Sequence, residues 1–197
     1  MLGVSPPKER KFNAGAKILS SSHLLYIRRN MLKFYDINED YIRYLQTIDD
    51  QVPNIHYSTN NKFVCGVVLN INGVDYYAPI SHTTKKYQTS LLIYNESVPI
   101  SSIRFSFMIP AYDEVLTELK FSEISKRDEK YADLLKVEYD YCKNNKIDIY
   151  EKADAVYKIG CNKNHRLNYT CCDFKKLEME YMKYKEILNT DELHTYN

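Results

Sequence analysis

The chain has 197 residues, 44% of them hydrophobic, and 27 Lys/Arg against 26 Asp/Glu for a net charge of +1. That is material for one core and a single domain, and no run approaches the roughly 20 apolar residues a bilayer crossing needs. Residues 1–30 hold six basic side chains and one acidic one, leaving 21 basic and 25 acidic beyond them, so bulk charge does not draw this protein to nucleic acid. Any RNA contact must come from a local cluster of cations.

The five cysteines are odd in number, with Cys171 and Cys172 adjacent, which fits reduced thiols in a cytoplasmic protein better than a disulfide framework. Nineteen tyrosines and no tryptophan supply rings that serve either a core or RNA stacking.

In chain order, residues 1–30 read as a basic, disordered extension. They combine Pro6-Pro7, the cations Lys8, Arg10 and Lys11, and Ser20-Ser21-Ser22, and the apolar group Leu24 to Ile27 is too short for a signal-peptide core. A single domain is expected over 31–197. Lys33 to Ile37 reads as a strand, and Asn38 caps a helix in which Tyr41, Ile42, Leu45 and Ile48 recur at helical spacing. Residues 62–71 and 74–80 flank Asn72-Gly73, the dipeptide favoured by a type I′ hairpin turn. Further strands are predicted at 90–94, 102–109 and 115–121. Three helices then follow, over 126–146, over 150–159 stopping at Gly160, and beyond Asp173 with a stripe of Leu177, Tyr181, Tyr184 and Leu188. The predicted fold class is α+β, a twisted antiparallel sheet or partly open small barrel decorated with helices.

A two-residue turn at 72–73 pairs positions summing to 145, which sets Lys62 across from Thr83 and Val64 from Ser81. The stretch Ser81-His82-Thr83-Thr84-Lys85-Lys86-Tyr87 then carries hydroxyls, an imidazole and ammonium groups to one sheet edge, with no carboxylate among them. RNA self-cleavage needs such groups. One takes the 2′-hydroxyl proton, one protonates the departing 5′-oxygen, and cations or hydroxyls stabilise the charge developing on phosphorus. A second cluster, Lys158, Lys163, Arg166, Lys175 and Lys176, is interleaved with Tyr157, His165, Tyr169 and Phe174, a mix suited to phosphate contact and base stacking and equally to a solvated helical surface. Cys161, His165, Cys171 and Cys172 lack the paired spacing of a zinc site, phosphate-cradling glycine motifs are absent, and no metal or other cofactor is expected.

From Met31 on, the order of motifs resembles the ToxN/AbiQ family of type III toxin–antitoxin endoribonucleases. The resemblance rests on Lys33-Phe34-Tyr35, Tyr41-Ile42-x-Tyr44-Leu45, Asp49-Asp50-x-Val52-Pro53-Asn54 and Gly66-x-Val68-Leu69. It continues through Asn72-Gly73 into Tyr77-Ala78-Pro79-Ile80-Ser81, then Phe107-Met108-Ile109-Pro110 and Cys172-Asp173-Phe174. It implies a barrel like that of MazF- and CcdB-type toxins, and metal-independent cutting of cellular or phage RNA that leaves a cyclic phosphate. It also implies an inhibitor RNA, derived from repeats and cut by the toxin from its own precursor, in a protein–RNA assembly. The catalytic hydroxyl falls on Ser81, with His82 beside it, Lys62 and Lys85 as the family's lysines and Tyr57 as its upstream tyrosine. Lys86 and the second cluster (Lys158, Lys163, His165, Arg166, Tyr169, Lys175, Lys176) are the expected RNA contacts. The residues leave room for a MazF- or CcdB-like toxin with a protein antitoxin, a gyrase poison, or a non-catalytic RNA-binding module.

Overall fold

The computed structural model describes residues 32–54 and 63–194, and the side chains of Val67 and of 187–194 are left aside. Residues 1–30, the extension expected above, lie outside this range, as do Tyr57 and Lys62.

Among the described residues the order is β1 (Lys33–Ile37), α1 (Glu39–Ile48), β2 (Val64–Ile71), β3 (Val74–Ser81), β4 (Ser90–Asn95), β5 (Val98–Arg104), β6 (Ile109–Pro110), β7 (Leu116–Glu118), α2 (Phe121–Ser125), α3 (Glu129–Asn144), α4 (Lys146–Cys161) and α5 (Phe174–His194). The strands form an open antiparallel sheet of order β4-β5-β3-β2-β1-β7, with β6 pairing onto β3. Central β3 is shared: its first half faces β6 through Tyr76 and Tyr77, and its end faces β5 through Ile80 and Ser81.

Local chemistry explains the boundaries. The Asn38 side chain accepts from the backbone N–H of Asp40 and Tyr41, and Asp128 does the same for Tyr131 at the start of α3. Asn72 and Gly73 both take positive φ, 52° and 84°, the two-residue turn that the sequence predicts. The β4–β5 hairpin turns at Glu96, whose φ of 54° is reached without glycine or asparagine at that position, although Asn95 and Ser97 flank it.

Several boundaries differ from expectation. The strand predicted over 102–109 ends at Arg104, because Phe105–Phe107 is a 3₁₀ turn in which Met108 N–H bonds back to Phe105 O, and only Ile109–Pro110 resumes pairing. The strand expected over 115–121 shortens to β7, since Phe121 opens α2. Lys126 caps the end of α2 rather than starting the long helix, and α4 begins four residues earlier than Tyr150.

The hairpin register also changes. Near the turn Leu69 faces Tyr76, but farther along Cys65 faces Ala78 and Val64 faces Pro79, so β2 holds two extra residues between Cys65 and Leu69. Gly66 lies there: a Cβ on it would sit 1.9 Å from the Tyr77 ring, so the ring lies where a side chain would be. The bulge overturns the expected pairing of Val64 with Ser81.

Most described tyrosines belong to the core. Tyr41, Tyr76, Tyr77, Tyr112, Tyr150, Tyr157 and Tyr181 are buried; the Tyr41 hydroxyl donates to Pro110 O at 2.7 Å, whereas that of Tyr112 has no hydrogen-bond partner among the described residues. Rings join α1 to α5 through Tyr41, Tyr44 and Tyr184 at 4.8 to 5.0 Å.

Candidate active site and RNA-binding rim

Ser81 is the last residue of β3, facing Ser102 of β5 on one side, while on the other Ile80 N–H donates to Phe63 O at 3.2 Å. The strand end is thus fixed from both edges. Beyond it residues 82–88 leave the sheet, yet they are tied back: buried Ser102 donates to Thr83 O at 2.9 Å, and Tyr87 N–H donates to Ser90 Oγ at 3.3 Å. Ser81 Oγ accepts a long bond from Thr83 N–H, 3.5 Å. Its own O–H donates to no protein acceptor among the described residues and remains available to a ligand.

His82, Lys85 and Lys86 are exposed on this loop. Lys85 Nζ lies 5.4 Å from the centroid of the Tyr87 ring, and the Arg104 guanidinium lies 4.7 Å from the same ring and 5.0 Å from that of Phe107. Arg104 is half buried, which disfavours its charge, while the nearby Tyr87 favours it. Neither Lys85, Lys86 nor Arg104 forms an ion pair among the described residues.

The fold divides the second cluster. Lys158 is paired with Asp154, Lys175 with Glu178 at 2.9 Å, and Lys176 donates to Ile48 O at 2.6 Å. The carboxylates come from outside the 158–176 window, which is why its sequence looked more basic than its surroundings are. His165 Nδ1 accepts from Leu167 N–H at 3.1 Å and shapes the loop. Lys163 and Tyr169 stay uncommitted, Tyr169 being 77% exposed, beside a cleft of about 540 Å³ that also holds Asp49, Asp50 and Asp173. Arg166 reaches across to donate to Gln88 Oε1 at 2.9 Å. That bond joins the two candidate surfaces into one rim.

Lys62 and Tyr57 are outside the described residues, so their approach to Ser81 has no geometry here. Among the described residues no three His, Cys, Asp or Glu side chains gather to hold a metal ion, and Cys161, Cys171 and Cys172 are free thiols. Three rim residues escaped the sequence reading: Arg104, Gln88 and Lys152. Arg104 was signalled as the basic terminus of an otherwise uncharged strand, and Lys152 as a lysine on the apolar helix face of Ile149, Ala153 and Val156. Gln88 carried no signal.

The family model described as "Toxin ToxN, type III toxin-antitoxin system" matches residues 33–183. The chain belongs to the ToxN toxin family. Endoribonuclease ToxN of Bacillus thuringiensis subsp. kurstaki is 30% identical over 164 residues, 78% of this chain and 84% of the relative. Endoribonuclease AbiQ of Lactococcus lactis subsp. lactis is 27% identical over 184 residues, 85% of this chain and 97% of that one. A solved structure 30% identical, described as revealing selective toxin inhibition by a non-coding RNA pseudoknot, superposes with a TM-score of 0.73 over 80% of this chain and 99% of its own. Among the described residues of this ToxN family member, no helix is long and apolar enough to cross a membrane.

Proposed function

We propose that this type III endoribonuclease toxin cuts RNA at the Ser81 rim by internal transesterification, without a metal ion. The substrate's 2′-oxygen attacks the adjacent phosphorus as it loses its proton, the P–O5′ bond breaks, and a 2′,3′-cyclic phosphate and a 5′-hydroxyl remain. The observation that supports this reading is a strand end fixed from both edges that presents a hydroxyl with an uncommitted proton, followed by cations without carboxylate partners. Ser81 donates to a phosphoryl oxygen, Lys85 and Lys62 offset charge developing on phosphorus, and His82 and Tyr57 serve proton transfer. The sheet is read as a variant of the MazF- and CcdB-type barrel, and the protein acts in the cytoplasm on cellular or phage RNA.

Its antitoxin is an RNA processed from a repeat precursor by the same site. Single strands at the rim meet Ser81, and the folded body of the RNA rests on Lys163, Arg166 and Tyr169, which the Arg166–Gln88 bond makes continuous with the cutting edge. The test is incubation of purified protein with RNA in EDTA. Fragments ending in cyclic phosphate are expected; a requirement for divalent metal overturns the mechanism, and intact RNA under all conditions overturns the activity. Inhibition by a co-purifying small protein that resists ribonuclease overturns the RNA antitoxin.

A further inference from the structure

Beside the rim lies a second cleft, of about 970 Å³, between β4 with its preceding loop and the outer side of α4. Lys86 and Tyr87 line it from the loop, Tyr94 from β4, Tyr141 from α3 and Lys152 from α4. Lys152 is only partly exposed, yet it makes no ion pair among the described residues, and neither does Lys86. Burial and the neighbouring Lys86 charge both disfavour the Lys152 ammonium. Lys86 and Lys152 line the same cleft, and an anion bound there would favour the Lys152 ammonium. Asp148 and Glu151 also line it, and neither is ion-paired to Lys86 or Lys152. Tyr94, 37% exposed and backed by Tyr141 at 6.2 Å, offers a ring to a base in this cleft, while the Tyr87 ring already carries Arg104 and Lys85.

We infer that this cleft is a subsite for single-stranded RNA flanking the cleavage point, with a phosphodiester bound by Lys86 and Lys152 and a neighbouring base on Tyr94. The inference rests on the ribonuclease reading, and adds to it a residue, Lys152, that stands apart from the reacting groups. A strand leaving Ser81 follows the loop past Lys85 and Lys86 directly into the cleft. Lys152 thereby acts on affinity rather than on chemistry.

The probe is a fluorescent 12-nucleotide 2′-O-methyl RNA, which binds but lacks the attacking hydroxyl, titrated by anisotropy over a salt series against the full chain, alongside cleavage of the matching RNA. Lys152→Gln is expected to raise Kd five- to tenfold and to reduce the slope of log K against log salt by about 0.7, the value for one phosphate contact on a single strand. It should raise KM with kcat unchanged, and Lys152→Arg should restore affinity. Because the substitution relieves repulsion, the melting temperature should hold or rise, which a merely structural lysine would not do. Wild-type protein that binds and cuts while Lys152→Gln keeps the same Kd and slope overturns the subsite and leaves the ribonuclease reading standing. Wild-type protein that neither binds nor cuts overturns both.

Discussion

Two regions use the same residue types, tyrosine with lysine or arginine, in opposite ways. Where α4 and α5 meet β3, Tyr76 OH and Tyr157 OH both donate to Glu178 Oε1, at 2.8 and 2.5 Å, and Lys175 Nζ reaches Glu178 Oε2 at 2.9 Å and the Tyr157 hydroxyl. Every group in this clasp is partnered. At the rim, Lys85 and Arg104 stand by the Tyr87 ring and Lys86 and Lys152 line the neighbouring cleft, with no carboxylate paired to any of them among the described residues. Buried polar atoms without hydrogen bonds are Arg104 Nε at the rim, Ser101 Oγ on β5, both oxygens of Glu138 on α3 and, away from the rim, Tyr112 OH. Satisfied networks hold a fold together; exposed cations left without a counter-charge are available to a ligand.

The largest effect expected from breaking this contrast is at Ser81. Ser81→Ala should lower cleavage at least 10³-fold, roughly 4 kcal/mol of transition-state stabilisation, with the thermal melt nearly unchanged because the hydroxyl makes only one long internal bond. A steady-state assay beside a melting curve checks it, and near-wild-type turnover would remove Ser81 from the site.

Glu138 comes next. Burial pushes its carboxyl up to about 7, against a smaller opposing effect of the Ser101 hydroxyl, even though neither group attains a full hydrogen bond with the other. The folded state thus holds a proton that the unfolded state releases near 4.5. This contribution to stability is fully present below 4.5 and is lost as pH rises to about 7, roughly 3 kcal/mol in all. Unfolding of wild type and Glu138→Gln at pH 5 and pH 8 should differ in slope, the variant being flat over that window. Equal slopes would mean Glu138 is not the group that titrates.

The rim's second half gives a smaller effect. Replacing Lys163 and Arg166 together by Glu should weaken inhibition by the antitoxin RNA about 10- to 50-fold, while cleavage of a short substrate falls only a few-fold. Equal losses would show a single undivided surface.

The smallest effect should come from the clasp. Burial raises the Glu178 carboxyl, but hydrogen bonds from Tyr157, Lys175 and Tyr76 together hold it below the ordinary value, so its stabilising contribution is present at neutral pH and is lost only in acid. Glu178→Ala should cost about 1–2 kcal/mol at pH 7, a few degrees of melting temperature, and leave cleavage rates of the folded protein unaltered. A large catalytic loss in a well-folded variant would tie the clasp to the site.

How much of this was legible in the chain depends on the range of the interaction involved. The Asn38 cap, the Asn72-Gly73 turn and the helical stripes are settled within a few residues and read correctly from order and spacing alone, and the polar run from Ser81 to Lys86 stands, as its sequence suggests, at and beyond a strand end. The family, too, lies in the order of short motifs. The Glu96 turn did not read, because its backbone is imposed by the pairing of β4 with β5. Only tertiary structure decided the hairpin register, since the bulge exists where the Tyr77 ring takes the space above Gly66. It decided the commitment of Lys176, whose ammonium reaches Ile48 O 128 residues away, whereas Lys175–Glu178 and Lys158–Asp154 are one-turn pairs within α5 and α4 whose spacing the sequence already contains. It also brought Arg166 to Gln88, 78 residues apart, and so made one rim of two stretches of sequence. Local sequence sets the backbone and the ion pairs within one helix; which distant groups meet, as Arg166 meets Gln88 and Lys176 meets Ile48, is a property of the surfaces that the folded chain brings together.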